Sequence, residues 1–445
     1  MKRRHVQFNL NKLAEIAAKA VGASQCVKVE KCLDGLFNKA YIFTLNNGKE
    51  VVGKVPNPNA GMPHFTTASE VATMDFVRNV LRTPVPEVYT WSSRADGPVG
   101  PEYIIMEKLT GIPLAQVWQS LDVRDRVNIA QKVLNYQKRW TTVKISRFGS
   151  LYYSNDVSCS FPSSEPLYIE EGQNIKNDKF AIGPSIGREW IDEGKSALSC
   201  ERGPWSSVLD YHRAAVPREK AAAEDFQEPP KQLVVMYISC LYVPTRSKKL
   251  AAINSYSQIL PLLLPSEQEL NTGHLWHDDL HYENVYVNPE RPTETVGIID
   301  WKSVEITPLY NHSLDPDFLG YEGPEIGDDL ARPVLNTKGL DQEGKKLAIK
   351  KYHDEAIMIA WRMLVRGKNP AQYRGIQFRN STAGHLLNLA QNISVLGEAH
   401  FRALLLDIGD EWSSFSNKEF PLRFSAEEIE EIRRDMEGAA EGIGF

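Results

Sequence analysis

From Cys26 to Val55, apolar and polar residues alternate in three short runs, Val27–Lys31, Ala40–Leu45 and Glu50–Val55, and Asn46-Asn47-Gly48 has the composition of a hairpin turn. The period then lengthens. Val71, Met74, Phe76, Val77 and Val80 recur at helical spacing over Ser69–Leu81, with Thr66, Thr67 and Ser69 as candidate caps and Pro84 and Pro86 closing the segment. Two more strand-like runs follow, Glu87–Trp91 and Tyr103–Met106, divided by the turn residues Asp96-Gly97-Pro98. Three strands, a helix and two strands predict an α+β lobe around a small antiparallel sheet rather than a βαβ repeat. After Gly111 helical spacing prevails, except for a strand-like cluster between His274 and Asp300. The stretch from about 148 to 232 is broken by proline and glycine, as in Phe161-Pro162-Ser163-Ser164-Glu165-Pro166, and reads as an irregular insertion. A charged helix over Ser425–Glu437 lies near the end, and no internal repeat is present.

The densest chemistry lies in that strand-like cluster. His277-Asp278-Asp279 begins an H-x-D-x-x-x-x-N loop ending at Asn284, and Gly297-Ile298-Ile299-Asp300-Trp301 follows after one hairpin. Phosphoryl transfer asks for a carboxylate to orient and deprotonate the attacking hydroxyl, and for hard oxygen ligands that hold magnesium on the phosphates. Asp279 is the candidate base, and Asn284 and Asp300 are the candidate metal ligands. Lys54 stands in the apolar run Val51-Val52-Gly53-Lys54-Val55, where an inward-facing ammonium is costly unless paired; Glu70, at the start of the next helix, is the expected partner. Between the first two strands, Asp34-Gly35-Leu36-Phe37-Asn38-Lys39 is placed to cover nucleotide phosphates, with Gly35 and Asn38 as contacts, although one glycine is short of a G-x-G-x-x-G loop. Met106, Glu107 and Leu109 fall where a connection between two lobes would read the adenine edge. His281 reads as a hydrogen-bonded loop histidine, and Trp190, Trp205, Tyr211, Trp301 and Tyr310 read as core aromatics.

Composition narrows the picture further. The 445 residues are 42% hydrophobic, and 51 basic against 57 acidic side chains give a net charge of -6, which offers no general attraction to nucleic acid or anionic lipid. Five scattered cysteines without a C-x-x-C pair suit a reducing compartment, and no apolar run is long enough to cross a bilayer. Lys2, Arg3 and Arg4 precede Leu10, Leu13, Ile16, Ala17 and Ala20 at helical spacing. This reads as a first helix packed on the small lobe, with a mitochondrial targeting helix as the competing reading.

These motifs resemble the aminoglycoside phosphotransferase and choline kinase-like superfamily, whose loop commonly reads H-G-D-x-x-x-x-N and whose metal strand reads I-D-W, as in Ile299-Asp300-Trp301. Within it, the chain is similar to the fungal branch often labelled altered inheritance of mitochondria proteins, through segments such as Phe180-Ala181-Ile182-Gly183-Pro184. The resemblance implies a bilobal protein kinase-like fold, with an N-terminal nucleotide-binding lobe over 1–109 and a helical lobe over 110–445 that carries the catalytic and metal motifs at 274–303. It implies ATP and Mg2+ as cofactors and a small hydroxylated metabolite as acceptor. Asp278 departs from the family's glycine and is expected to bring an extra negative charge to the site. The start lacks a long arginine-rich presequence, so a cytoplasmic location is expected, with mitochondria as the alternative. A pseudokinase and a protein Ser/Thr kinase are the competing functional readings.

Overall fold

Five strands, β1 (Cys26–Lys31), β2 (Asn38–Leu45), β3 (Glu50–Pro56), β4 (Val88–Ser92) and β5 (Tyr103–Glu107), form one antiparallel sheet in the order β1-β2-β3-β5-β4. The computed structural model describes residues 5–158, 165–225, 242, 244–415 and 417–443. Alternation along β2 and β3 buries Tyr41, Phe43, Leu45, Val51 and Val55 on one face, where α1 (Leu10–Ala20) packs Leu13, Ala14, Ala17 and Ala18 against them. The first helix therefore belongs to the sheet, as its spacing predicts. Gly53 is small for a reason: a Cβ there would lie 2.5 Å from the Phe43 ring.

The helix α2 (Phe65–Asn79) begins four residues earlier than its apolar period indicates. Thr66, Thr67 and Ser69 are not caps but buried residues inside it; the cap position is His64, at φ 67°, whose backbone N–H donates to Glu102 Oε1 at 2.6 Å. Glu70 accordingly sits in the second turn instead of opening the helix.

Beyond the sheet the chain is mainly helical. The helix α3 (Val123–Thr142), capped by Asp122 on the Asp125 N–H, packs with the long helix Gln342–Lys368, and further helices span Arg246–Leu263, Pro370–Arg379, Thr382–Ala390, Ala399–Asp410 and Ala426–Ile443. This is the α+β architecture expected, a small antiparallel sheet followed by a larger helical part.

The region from 148 to 232 is more ordered than its composition suggests. Ser150–Tyr153 pairs with Phe180–Gly183, and Tyr168–Glu170 pairs with both Gln173–Ile175 and Val143–Lys144. These strands are too short to show a period, which is why an irregular insertion was expected. Its Phe161–Ser164 portion and residues 226–232 lie outside the described residues.

A large core runs beneath the strand cluster at 273–308. Trp140 of α3 meets Trp276 and Trp301 edge to face, with ring centroids 5.1 and 5.6 Å away, and all three are fully buried. Truncating a ring in such a packed centre costs about 3–5 kcal/mol. Trp190, Trp205, Tyr211 and Tyr310 are likewise buried, so the aromatics singled out in the sequence are core residues.

Candidate functional site

Nine residues expected to bind nucleotide or metal line one cavity of about 510 Å³: Gly35, Asn38, Lys54, Glu70, Met106, Glu107, Leu109, Asn284 and Asp300. Its walls are otherwise largely apolar, from Ala40, Ile42, Val52, Met74 and Ile112 to Tyr286 and Ile299. A mostly apolar cleft with polar groups gathered at one end is what a nucleotide needs, a slot for the base and charges for the phosphates.

The polar end is built on β3. Its central pairing, with β2 on one side and β5 on the other, holds Lys54 in register opposite Ala40 and Ile104. The ammonium is 2.5 Å from Glu70 Oε1 and 2.8 Å from Asp300 Oδ1, and the residue is 7% exposed. Burial alone lowers a lysine pKa, but Asp300 and Glu70 more than reverse it and hold the group protonated above the usual lysine range. Desolvation likewise raises the Asp300 pKa, whereas Lys54 and then Lys302 bring it well below the usual carboxylate range. Asp300 itself sits at φ 63°, a left-handed conformation that costs an ordinary side chain about 1 kcal/mol or more and that clusters at functional sites.

The loop over 277–284 is tied to this aspartate by backbone geometry. His277 accepts the Asp279 N–H on Nδ1 at 3.2 Å, and its Nε2 is 2.9 Å from the Ile299 carbonyl, one residue before Asp300. The Ile299 N–H donates to the Asn284 carbonyl at 2.9 Å, so both ends of the loop are fastened to the same strand exit. Burial lowers the His277 pKa, which suits a neutral ring in this position. Asn284 Nδ2 lies 2.9 Å from the Asp279 carbonyl oxygen, 3.4 Å from its carboxylate and 3.1 Å from His281 Nε2. His281 is therefore a hydrogen-bonded loop residue, in line with its sequence reading. Asp279 is not part of the cavity lining; its side chain is 58% exposed, one hydrogen bond from a residue that is.

Asp278 corrects an expectation. Its carboxylate turns away to His312 Nδ1 at 2.9 Å and to the Ser313 N–H at 2.7 Å, and it adds no ligand beside Asp300. Partial burial pushes its pKa up, yet His312 and the Ser313 N–H hold it below the usual carboxylate range. Its role here is to pin the loop to the 312–313 segment.

The loop over 34–39, expected to cover phosphates, is held by Asn57, whose N–H donates to the Phe37 carbonyl at 2.8 Å and whose Nδ2 donates to the Leu36 carbonyl at 3.0 Å. At the opposite end, Ile112–Pro113 pairs with Val285–Val287, so the expected base-reading segment is stitched to the strand that follows Asn284. Gly111 allows it: a Cβ there would be 2.6 Å from the Val287 carbonyl oxygen.

For a divalent metal, the available donors are the Asn284 side-chain amide and the Asp300 carboxylate, both hard oxygen groups lining the cavity. Among the described residues no three His, Cys, Asp or Glu side chains converge into a self-sufficient metal site. Two protein donors fit magnesium, which takes its remaining ligands from water and phosphates. Sequence reasoning missed Lys302, whose ammonium is 3.5 Å from Asp300 Oδ2; a lone lysine after I-D-W looks like a surface charge. Cys26, Cys32 and Cys200 are free thiols, while Cys159 and Cys240 lie outside the described residues. Among the described residues no helix is long and apolar enough to cross a membrane.

The resemblance drawn from the motifs extends to whole-chain comparisons, although no family model matches the chain. The chain is 29% identical over 363 residues to a subtelomeric hrmA-associated cluster protein of Aspergillus fumigatus, covering 73% of this chain and 67% of that protein. It is 24% identical over 444 residues to altered inheritance of mitochondria protein 9, mitochondrial, of Saccharomyces cerevisiae, covering 91% of this chain and 69% of that protein. Both relatives are fungal. Among solved structures, a Ralstonia eutropha protein assigned as an aminoglycoside phosphotransferase superposes with a TM-score of 0.44 at 12% identity, covering 98% of each chain.

Proposed function

We propose that this protein is an ATP- and magnesium-dependent phosphotransferase that moves the γ-phosphoryl group to a hydroxyl of a small molecule. The observation that supports it most is the convergence of Lys54, Glu70, Asn284 and Asp300 at one end of a single cavity, with Asp279 one hydrogen bond away. In this reading the lobe over 1–109 and the helical lobe over 110–445 enclose the nucleotide, and Met106, Glu107 and Leu109 line the base end.

Lys54, kept charged by Glu70, would bind phosphate oxygens, and the Gly35–Asn38 loop would cover them. Asn284 and Asp300 would hold magnesium, which supplies neutralisation of charge on the transferring group. Asp279, exposed beside Asn284, is free to meet an acceptor hydroxyl and to orient it and take its proton. A carboxylate that needs access to a second substrate belongs at the surface of the cleft, and Asp279 has that exposure.

The test is thermal shift with ATP and Mg2+ on wild type and Asp300→Ala, followed by ADP release across a panel of hydroxylated metabolites. A magnesium-dependent shift lost in Asp300→Ala, with ADP release on one class of alcohol, is the expected result. A shift without ADP release on any acceptor would favour a pseudokinase, phosphorylation of peptide pools but not of alcohols would favour a protein Ser/Thr kinase, and no shift at millimolar ATP sinks the nucleotide reading altogether. For location, cytoplasm and mitochondria remain the two proposals, the second favoured by the name of the yeast relative.

A further inference from the structure

Beside two residues that line the cavity, Asp300 and Phe37, stands a cation that the reading above does not use. The Lys302 side chain is only 8% exposed, and its ammonium faces Asp300 Oδ2 at 3.5 Å, the carboxylate oxygen not taken by Lys54. That is the closest polar contact the ammonium makes among the described residues, and it is long for an ion pair. The same ammonium lies 4.3 Å from the centroid of the Phe37 ring, in the loop expected to cover phosphates.

Arg188 also approaches Phe37, with its guanidinium carbon 4.2 Å from the ring centroid. Its charge, however, is met: Arg188 Nε donates to Asp192 Oδ2 at 2.9 Å, a second nitrogen donates to the other Asp192 oxygen, and Nη1 donates to the Ala60 carbonyl at 3.2 Å. Lys302 differs in this respect. It shares one carboxylate with Lys54 and leaves hydrogen-bonding capacity of a three-donor group unspent. A largely buried ammonium held over an aromatic face, beside a carboxylate expected to turn to a metal, is placed to accept a new anionic partner.

The position selects which anion. Met106–Leu109, Phe37 and Asp300 all line the cavity, and Lys302 contacts two of these lining residues, the Phe37 ring and the Asp300 oxygen that Lys54 leaves. Lys54 occupies the near carboxylate oxygen, where α- and β-phosphates are expected. We propose that Lys302 reads the terminal phosphate of a nucleoside triphosphate, exchanging its contact with Asp300 and Phe37 for oxygens of the γ-phosphoryl group.

This rests on the nucleotide reading given above, and the two are separable by binding alone. Titration calorimetry of wild type, Lys302→Met and Lys302→Arg is run with a non-hydrolysable ATP analogue and with ADP, each with Mg2+. Methionine keeps the apolar stem over Phe37 without the charge. The expected result is a loss of about tenfold or more in analogue affinity for Lys302→Met, a change under about twofold for ADP, and recovery of most of the loss in Lys302→Arg. Equal losses for both nucleotides would mean that Lys302 only positions Asp300, and no loss for either would mean that it contacts no phosphate; either overturns the proposal. Should Lys302→Met melt well below wild type in the absence of nucleotide, Lys302→Gln supplies the same comparison. A wild type that binds neither nucleotide overturns the nucleotide reading and this inference together.

Discussion

Lys54 Nζ lies 2.8 Å from Asp300 Oδ1, although the two residues are 246 positions apart in the chain. One belongs to the central strand of the sheet and the other to the exit of a strand in the helical part, so a single contact joins them. Glu70 is the second carboxylate on the same lysine, and Lys302 faces the other oxygen of Asp300.

Removing the shared member should therefore cost more than removing either carboxylate. Lys54→Met leaves Glu70, 5% exposed, beside no cation, and a stability loss of about 3–5 kcal/mol is expected in urea denaturation. Glu70→Gln should cost less, because Asp300 still pairs with the lysine. Equal midpoints for Lys54→Met and wild type would mean that Glu70 is accommodated in some other way.

The adjacent aspartates of the loop should separate cleanly. Asp279→Asn is expected to lower turnover by about 10²–10³ while magnesium-nucleotide affinity stays within about twofold, because the residue lies outside the cavity lining. Asp278→Asn weakens the attachment to His312 and Ser313, so its effect should appear mainly in melting temperature. Kinetics and calorimetry on the two variants, with denaturation alongside, check this; an Asp278→Asn protein with unchanged stability and lost metal binding would return Asp278 to the site.

Acid should destabilise the protein through its buried histidines. Burial lowers the pKa of His212 to about 3, and the same cause, with His312 next, lowers that of His274 to about 3. Unfolded histidine titrates near 6.5, so as pH falls from about 7 towards 5 the unfolded chain takes up protons that the folded one refuses, and stability drops. The expected loss between those pH values is on the order of 1–2 kcal/mol per histidine. His212→Gln should flatten the slope of the urea midpoint against pH, since the side chain that resists protonation is gone. A slope unchanged by that substitution would assign the acid sensitivity elsewhere.

Gly111→Ala tests the stitch between the base end and the loop. The new Cβ meets the Val287 carbonyl oxygen at 2.6 Å, and backbone cannot yield as a flexible side chain can. A destabilisation of about 1–3 kcal/mol is expected, together with weaker nucleotide binding, measured by denaturation and calorimetry.

Much of this site was legible because its signals are local and costly to fake. A lysine in an apolar run demands a partner, and H-x-D-x-x-x-x-N followed by I-D-W has a spacing that one hairpin accounts for. What stayed hidden depends on distant partners. Asp278 reads as an added charge beside the proposed metal ligands because His312 is 34 residues away, and nothing nearby announces the bond. Thr66, Thr67 and Ser69 have the composition of caps, but the backbone turn at His64 and its bond to Glu102 start the helix sooner. The paired strands between Ser150 and Gly183 are three or four residues long, below the length at which alternation can be read.

The ladder between Ile112–Pro113 and Val285–Val287 has a mechanical consequence. It sets the distance from Ile112 to Asn284 along one piece of hydrogen-bonded backbone, like a ruler fixed at both marks. Opening of the cleft cannot lengthen that ruler without breaking the pairing. A widening of the cleft that keeps this ladder whole has to act elsewhere, and the Lys54–Asp300 contact is a bond across the cleft that such a widening would break.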